Sequence, residues 1–423
     1  MGCASSAPIC QREASAHAVM TEFHDQYVLG VKIGCGTFAQ VRDILPIHLK
    51  RRVRFSTEEA PISDKAVKIV GFCNFGTGEV DLKLQEHTTI EASLWKKAAG
   101  CSHIIQLYDV FFSSGLAYMV MERCCGDFYQ HLDNSQELNE QFLRKVFLDM
   151  VTGIRQLHMR HMVHRDIKPT NFMIAADQNK TVKLGDFGLA ARLPSIRKVH
   201  GTCGTAPFMC PEMLEHDECD EKADVWSLGV IAYVLLFGSF PYTPKTPNSK
   251  NMKKAITDGL PPPYEPAKRG LVGPASHFRS GSALEFVKAL LKRDPAERPS
   301  AAAVLSRTYL NFSTPLDRPD GTQLPCLRSM LHAARAVGAF EAHKCSNVLD
   351  VDAELNQRQM MKHGEPLPES QLQGQKSAGA SGLKVEAWEY SLREDVSNAS
   401  TAVETDSSPD LSLAESFRSQ QSI

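Results

Sequence analysis

The run VHRDIKPTNFM, residues 163–173, sets two basic residues, an acid and an amide among apolar neighbours. Asp166, Lys168 and Asn171 follow one another at spacings of two and three. A short stretch of chain would therefore hold a carboxylate, an ammonium and an amide in fixed relation. Groups of these types suit proton transfer and charge compensation. The competing reading is a capped helix end whose charges are solvated. A second acid, Asp186 of LGDFGLA, follows fifteen positions after Asn171, which weakens that competing reading. Two further signals precede them. IGCGTFAQV, from Ile33 to Val41, carries Gly34 and Gly36, where backbone can approach a ligand that a Cβ would obstruct. KAVKIV places Lys68 in a β-branched run. Taken singly, the first is a hairpin and the second a solvent-facing lysine.

Groups so distant along the chain need elements to gather them. From Tyr27, the runs YVLGVKIG, FAQVRDIL and KAVKIVGF are short, β-branched and partly alternating, which predicts antiparallel strands. Polar, basic HLKRRVRFSTEEAPISD reads as a long loop between two of them. Ile90, Leu94 and Lys97 recur at helical intervals within 84–98, and HIIQLYDVFF and LAYMVMER read as two more strands. After Gly126 the pattern turns helical, with Phe142, Val146, Met150 and Ile154 on one stripe. These signals predict an α+β architecture: a small strand-rich lobe over 25–121, a connection at 122–127 and a larger helical lobe over 128–312. Residues 1–24 read as a flexible arm. Residues 313–423 are poor in core residues and read as a mostly disordered regulatory tail. Within it, Leu327, Leu331, Ala334 and Val337 face Arg328, His332 and Arg335 across a predicted helix at 325–342.

The chain has 423 residues, 43% hydrophobic and 23% charged, with a formal net charge of −2. That balance gives no electrostatic reason to expect a nucleic-acid partner. Twelve cysteines without a C-x-x-C pair read as reduced thiols in the cytosol. The longest apolar run, GVIAYVLLF from Gly229, is too short to cross a bilayer and reads as a buried core helix. The start, MGCASS, fits the N-myristoylation pattern at Gly2, with Cys3 available for palmitate. One myristoyl chain alone binds membranes marginally, so the expectation of a cytoplasmic protein on the cytosolic membrane face needs Cys3 as a second signal. A chance Gly-Cys in an unstructured start is the bland alternative.

Recurring in order and at the expected intervals, these motifs resemble the eukaryotic protein kinase family over about 27–312. The resemblance implies a bilobal fold, ATP and Mg2+, and protein substrates. Ile33, Gly34, Cys35, Gly36 and Val41 would cover the nucleotide, with Ala39 at the family's third glycine. Ala66 would lie against adenine, and Lys68 would meet the α and β phosphates. Its carboxylate partner would be Glu91, with Glu86 as the alternative. Met121 would back the pocket, Glu122 and Cys124 would offer backbone groups to adenine, and Asp127 would reach the ribose or a substrate. Asp166 would accept the substrate's hydroxyl proton, Lys168 would steady the γ-phosphate, and Asn171 and Asp186 would bind Mg2+. Cys210 replaces the usual alanine before Pro211. Glu212 would pair with Arg298, and Asp224 would support the catalytic loop. Thr202 would carry an activating phosphate, with Arg165 as its counter-charge.

Lys168 together with Thr205 resembles the serine/threonine branch. LYDVF, CGDFYQHL and DPAERPS look most like its calcium/calmodulin-dependent group. The helix at 325–342 is then a candidate calmodulin target or a site for another regulator. Thr170 stands where kinases preferring basic substrates often have Glu. A pseudokinase scaffold is the alternative function, disfavoured because Lys68, Asp166, Asn171 and Asp186 are all present. EAWEYSL, around Trp388, is a weaker candidate docking peptide.

Overall fold

The β-branched runs predicted as strands pair into one antiparallel sheet, in the order β1-β2-β3-β5-β4. The strands are β1 (Tyr27–Cys35), β2 (Ala39–Pro46), β3 (Lys65–Gly71), β4 (Leu107–Ser113) and β5 (Leu116–Glu122). The computed structural model describes residues 22–36, 39–48, 63–72, 79–113, 115–135, 139–246, 248–260, 262–264 and 280–316. Gly2, Cys3, the predicted helix at 325–342, Trp388 and most of the predicted loop before β3 lie outside the described residues.

A short helix, α1 (Phe23–Gln26), stacks Phe23 on Tyr118 of β5 with ring centroids 4.4 Å apart. The main helix of this lobe, α2 (Leu82–Ala98), starts where Asp81 accepts the Leu84 N–H at 3.0 Å. Its buried face carries Glu91, Leu94, Trp95 and Ala98, whereas Ile90 is 47% exposed. The stripe expected through Ile90, Leu94 and Lys97 is thus rotated on the real helix. Leu94 belongs to both faces, and Trp95 decides between them. Its indole fills the core and donates to the Ile105 carbonyl at 2.7 Å, burying far more apolar surface than Ile90 offers.

Below the sheet, β6 (Gly126–Asp127) leads into α3 (Phe128–Asn134) and α4 (Glu140–His158). Val146, Met150 and Ile154 of α4 are buried as expected, and Phe142 packs at the core's edge. Short strands follow: β7 (Met162–Val163), β8 (Phe172–Ile174), β9 (Val182–Leu184), β10 (Ala191–Arg192), β11 (Val199–His200) and β12 (Glu218–Cys219). Between β11 and β12 lies α5 (Pro211–His216), and beyond them are α6 (Lys222–Phe237), α7 (Ser249–Asp258), α8 (Gly281–Leu290) and α9 (Ala301–Leu305). The apolar run of α6 is buried on all sides, as a central core helix must be. Among the described residues no helix is long and apolar enough to cross a membrane.

Gly229 lets α6 approach α8 closely. A Cβ there would lie 2.8 Å from Leu290 Cβ and 2.9 Å from Leu291 Cδ2. Gly229→Ala gains about 1 kcal/mol of helix propensity. Overpacking against Leu290 costs about 1–3 kcal/mol, and this contact cannot yield by a side-chain rotation because it is at Cβ. The expected result is a lowered thermal unfolding midpoint. A midpoint at or above wild type would show that the two helices separate freely.

Behind the cleft, backbone hydrogen bonds help to join the lobes. Ile105 N–H donates to the Leu184 carbonyl at 2.9 Å, and Leu184 N–H donates to the His103 carbonyl at 2.9 Å. This fixes the turn after α2 to β9, immediately before Asp186.

Candidate active site

Lys68 extends from β3 toward the cleft, where its Nζ lies 2.6 Å from Glu91 Oε1 and 2.9 Å from Asp186 Oδ1. Glu91 of α2 is therefore the carboxylate that meets this lysine, while Glu86 lies exposed on the same helix. Burial works against the ammonium, but Asp186 and Glu91 outweigh it and hold its pKa above the ordinary lysine value. The same ammonium brings the Asp186 carboxyl down to about 2. Burial pushes the Glu91 carboxyl up, with Lys68 opposing.

The catalytic-loop segment hangs from α6. Asp224 is fully buried and accepts the His164 and Arg165 N–H groups at 2.9 Å each. His158 Nε2 stands 2.8 Å from its carboxylate. Burial opposes ionisation of Asp224, but these partners hold its pKa below the usual carboxylate range. Arg165 and Asp186 both have positive φ, 65° and 58°. Non-glycine residues persist there only where the surroundings impose it. The imposed turns bring four side chains together. Asp166 Oδ1 accepts the Thr205 N–H at 3.0 Å and its hydroxyl at 2.8 Å. Lys168 Nζ lies 3.0 Å from Asp166 Oδ2 and 3.1 Å from Thr205 Oγ1. Asn171 Nδ2 donates to the Asp166 carbonyl at 2.8 Å. Phe187, beside Asp186, is buried between Trp95 and His164.

Thr205 reaches Asp166 because Gly204 turns the chain with φ of 105°, where a Cβ would stand 2.5 Å from the Arg165 carbonyl. Gly204→Ala should displace Thr205 from Asp166 and lower kcat by on the order of 100-fold, the scale of an ångström misplacement. Peptide kinetics together with a melting curve test this; unchanged kcat would show that the Thr205 contact does not align the site.

Residues 27–310 match the protein kinase domain. The chain belongs to the protein kinase family. It is 28% identical to an Aurora kinase of Schizosaccharomyces pombe over 72% of this chain and 77% of that protein. It is 29% identical to CDPK-related kinase 8 of Arabidopsis thaliana, over 70% of this chain and 46% of that kinase. A calcium and calcium/calmodulin-dependent serine/threonine-protein kinase of Pisum sativum is 31% identical over 49% of this chain and 38% of its own length. The match thus spans less than half of these plant relatives, whose similarity agrees with the group resemblance of the motifs.

Protein kinases use ATP and Mg2+, and the residues here fit both. Asn171 spends its amide N–H groups on Asp166, which leaves its carbonyl oxygen for a ligand. The Asp186 side chain is 52% exposed. One carboxylate and one amide oxygen suit Mg2+, which completes its shell with phosphate oxygens and water. Among the described residues no cluster of three or more His, Cys, Asp or Glu forms a metal cage. For the nucleotide, Gly34 pairs with Val41 and Cys35 with Gln40, and Gly36 N–H donates to the Ala39 carbonyl at 2.7 Å. Among the described residues, a Cβ on Gly34 or Gly36 would meet nothing closer than 3.7 Å. Ile33 is 46% exposed and Ala66 is buried beside Met121.

The connection between lobes departs in part from expectation. Glu122 N–H is already taken by the Gln106 carbonyl at 2.9 Å, so of its backbone pair only the carbonyl remains for adenine. Its carboxylate binds Lys183 at 2.7 Å. The Cys124 N–H and carbonyl take no backbone hydrogen bond among the described residues. Asp127 caps α3, with Oδ1 accepting the Gln130 N–H at 2.8 Å, which turns that oxygen away from a ribose. The Asp127-x-x-Gln130 spacing is a helix-start signature from which the cap could have been read, whereas the Lys183 pair, 61 residues apart, has no local signal.

Thr202 and Arg165 are not brought together. The Thr202 hydroxyl donates to Asp217 Oδ1 at 2.7 Å and lies 3.1 Å from the Met213 carbonyl. Arg165 donates to the Leu189 and His200 carbonyls at 2.8 and 3.2 Å. A phosphate on Thr202 would meet the Asp217 carboxylate, a like charge, in place of the guanidinium. Gly201, where a Cβ would stand 3.9 Å from Arg165 Nη1, has no hydroxyl to modify.

Proposed function

We propose that this kinase is catalytically active and transfers the γ-phosphate of ATP to serine and threonine hydroxyls of proteins. The observation that carries the reading is Lys68 engaged at once by Glu91 and Asp186, from three separate elements. That arrangement aligns the phosphate-binding lysine with the metal-binding carboxylate. A scaffold without activity would not need it.

Asp166 is placed to accept the hydrogen bond and the proton of an incoming hydroxyl. Its Oδ1 is oriented by Thr205, and Oδ2 faces Lys168, whose ammonium compensates charge on the transferring phosphoryl group. Mg2+, bound by Asn171 and Asp186, supplies neutralisation of the phosphate oxygens. The Thr205 hydroxyl bridging Asp166 and Lys168 supports a serine or threonine acceptor, as does similarity to the serine/threonine-protein kinase of pea.

Membrane association through Gly2 and Cys3 and binding of calmodulin or another regulator at 325–342 extend the proposal to the whole chain. The calcium/calmodulin-dependent relative supports the second. The test of activity is transfer of radiolabelled γ-phosphate to a peptide library containing serine, threonine and tyrosine acceptors. Label confined to serine and threonine peptides and abolished by chelating Mg2+ is expected; no transfer, or label on tyrosine alone, would overturn the reading.

A further inference from the structure

Three stretches of this chain contain no acid: 92–108, 150–165 and 187–211. The fold brings parts of all three to one surface. Arg160, just beyond α4, donates from Nε to the Lys97 carbonyl at 3.1 Å and from Nη1 to the Gln156 carbonyl at 3.2 Å. Thus its charge sits at the C-terminal end of α2, beside exposed Lys96 and Lys97. The pairing of β10 with β7 sets Arg192 opposite Met162, and Leu193 N–H donates to the His161 carbonyl at 2.8 Å. Among the described residues, Lys96, Lys97, Arg160 and Arg192 form no ion pair with a carboxylate. Within this group Met159 is 61% exposed. A protein whose net charge is only −2 has here gathered cations that no described acid neutralises.

We infer that this surface docks on an anionic phospholipid bilayer. Lys and Arg near such a surface each gain attraction to lipid headgroups, and an exposed apolar side chain among them suits the interfacial layer. An acidic protein would match the cations but gives no particular role to Met159. The inference extends the membrane association proposed through Gly2 and Cys3. A single acyl chain binds weakly, and residues 1–21 hold only one arginine and no lysine. The folded domain then provides the basic component that the arm lacks, and it would set which face of the kinase meets the membrane.

The test uses the full chain made without acylation, sedimented with phosphatidylcholine vesicles that contain or lack phosphatidylserine. Binding should require phosphatidylserine and weaken as salt rises. Lys96→Gln with Lys97→Gln should reduce the binding constant at least about fivefold, and adding Arg160→Gln and Arg192→Gln at least about tenfold in total. The double variant should keep wild-type activity on a soluble peptide, which shows that it is folded. Equal binding to both vesicles, or anionic binding untouched by the substitutions, overturns the inference. So does binding that appears only after removal of residues 386–423, whose carboxylates would then be the surface's true occupant. Because acylation is absent throughout, a failure here is separate from a failure at Gly2 and Cys3. The latter is read by comparing wild type and Gly2→Ala for membrane association in cells.

Discussion

Asp166→Asn is expected to lower kcat by about 10²–10⁴-fold while leaving affinity for Mg-ATP near wild type. The amide matches the carboxylate in shape, so Thr205, Lys168 and Asn171 keep a neighbour of the same size. What disappears is the ability to accept a proton and one unit of negative charge beside Lys168. Asp166 is buried, 9% exposed, so solvent does not readily replace it as base. Asn171 and Asp186, which would hold the metal, and Lys68, which would meet the phosphates, are unaltered, so binding should persist. Single-turnover transfer measured with titration of nucleotide separates the two quantities. Retained transfer would show that the hydroxyl needs no base in this cleft. Parallel loss of binding would show instead that Asp166 holds the loop together.

The largest stability effect should come from Glu212→Ala. Arg298 grips Glu212 through two bonds, Nη1 to Oε1 at 2.7 Å and Nη2 to Oε2 at 3.0 Å, with the guanidinium fully buried. The same guanidinium donates to the Lys292, Lys222 and Arg293 carbonyls and lies 5.1 Å from the Trp226 ring centroid. Removing the carboxylate leaves a buried, uncompensated cation, which costs about 3–5 kcal/mol. In a domain of this size each kcal/mol lowers the melting temperature by about 2–4 °C. A fall of roughly 10 °C is expected by calorimetry, with activity lost because α5 follows directly on the segment that carries Thr205. A drop of only a degree or two would mean that water reaches Arg298 once Glu212 is gone. Replacing both partners with apolar residues of similar volume should be milder than removing either alone, because no charge is then stranded.

Cys210, which replaces a small residue at the start of α5, bears on the same region. It is buried at 1% exposure and its thiol pKa is raised well above normal by burial. The side chain behaves as a small apolar group there.

Local sequence foretold the strands of the small lobe and the buried character of α6, and the family resemblance implied Glu212 with Arg298 and Lys68 with Glu91, Glu86 being the alternative that the structure set aside. Strand periodicity and an apolar run are written locally, and the kinase motifs carry their spacing in order. Only the tertiary structure decided which face of α2 turns inward, since a helical period allows neighbouring faces and Trp95 chose by burying the larger surface. The same holds for Thr202. Its place in the motif suggested a phosphate meeting Arg165, but hydrogen bonds fixed by the fold turn its hydroxyl to Asp217 and give the guanidinium to the Leu189 and His200 carbonyls. Likewise Glu122 N–H and the convergence of Lys97, Arg160 and Arg192 depend on contacts between residues far apart in the chain. Direction of a hydrogen bond and charge summed over separate segments are properties of three-dimensional arrangement, and residue spacing along a chain does not encode them.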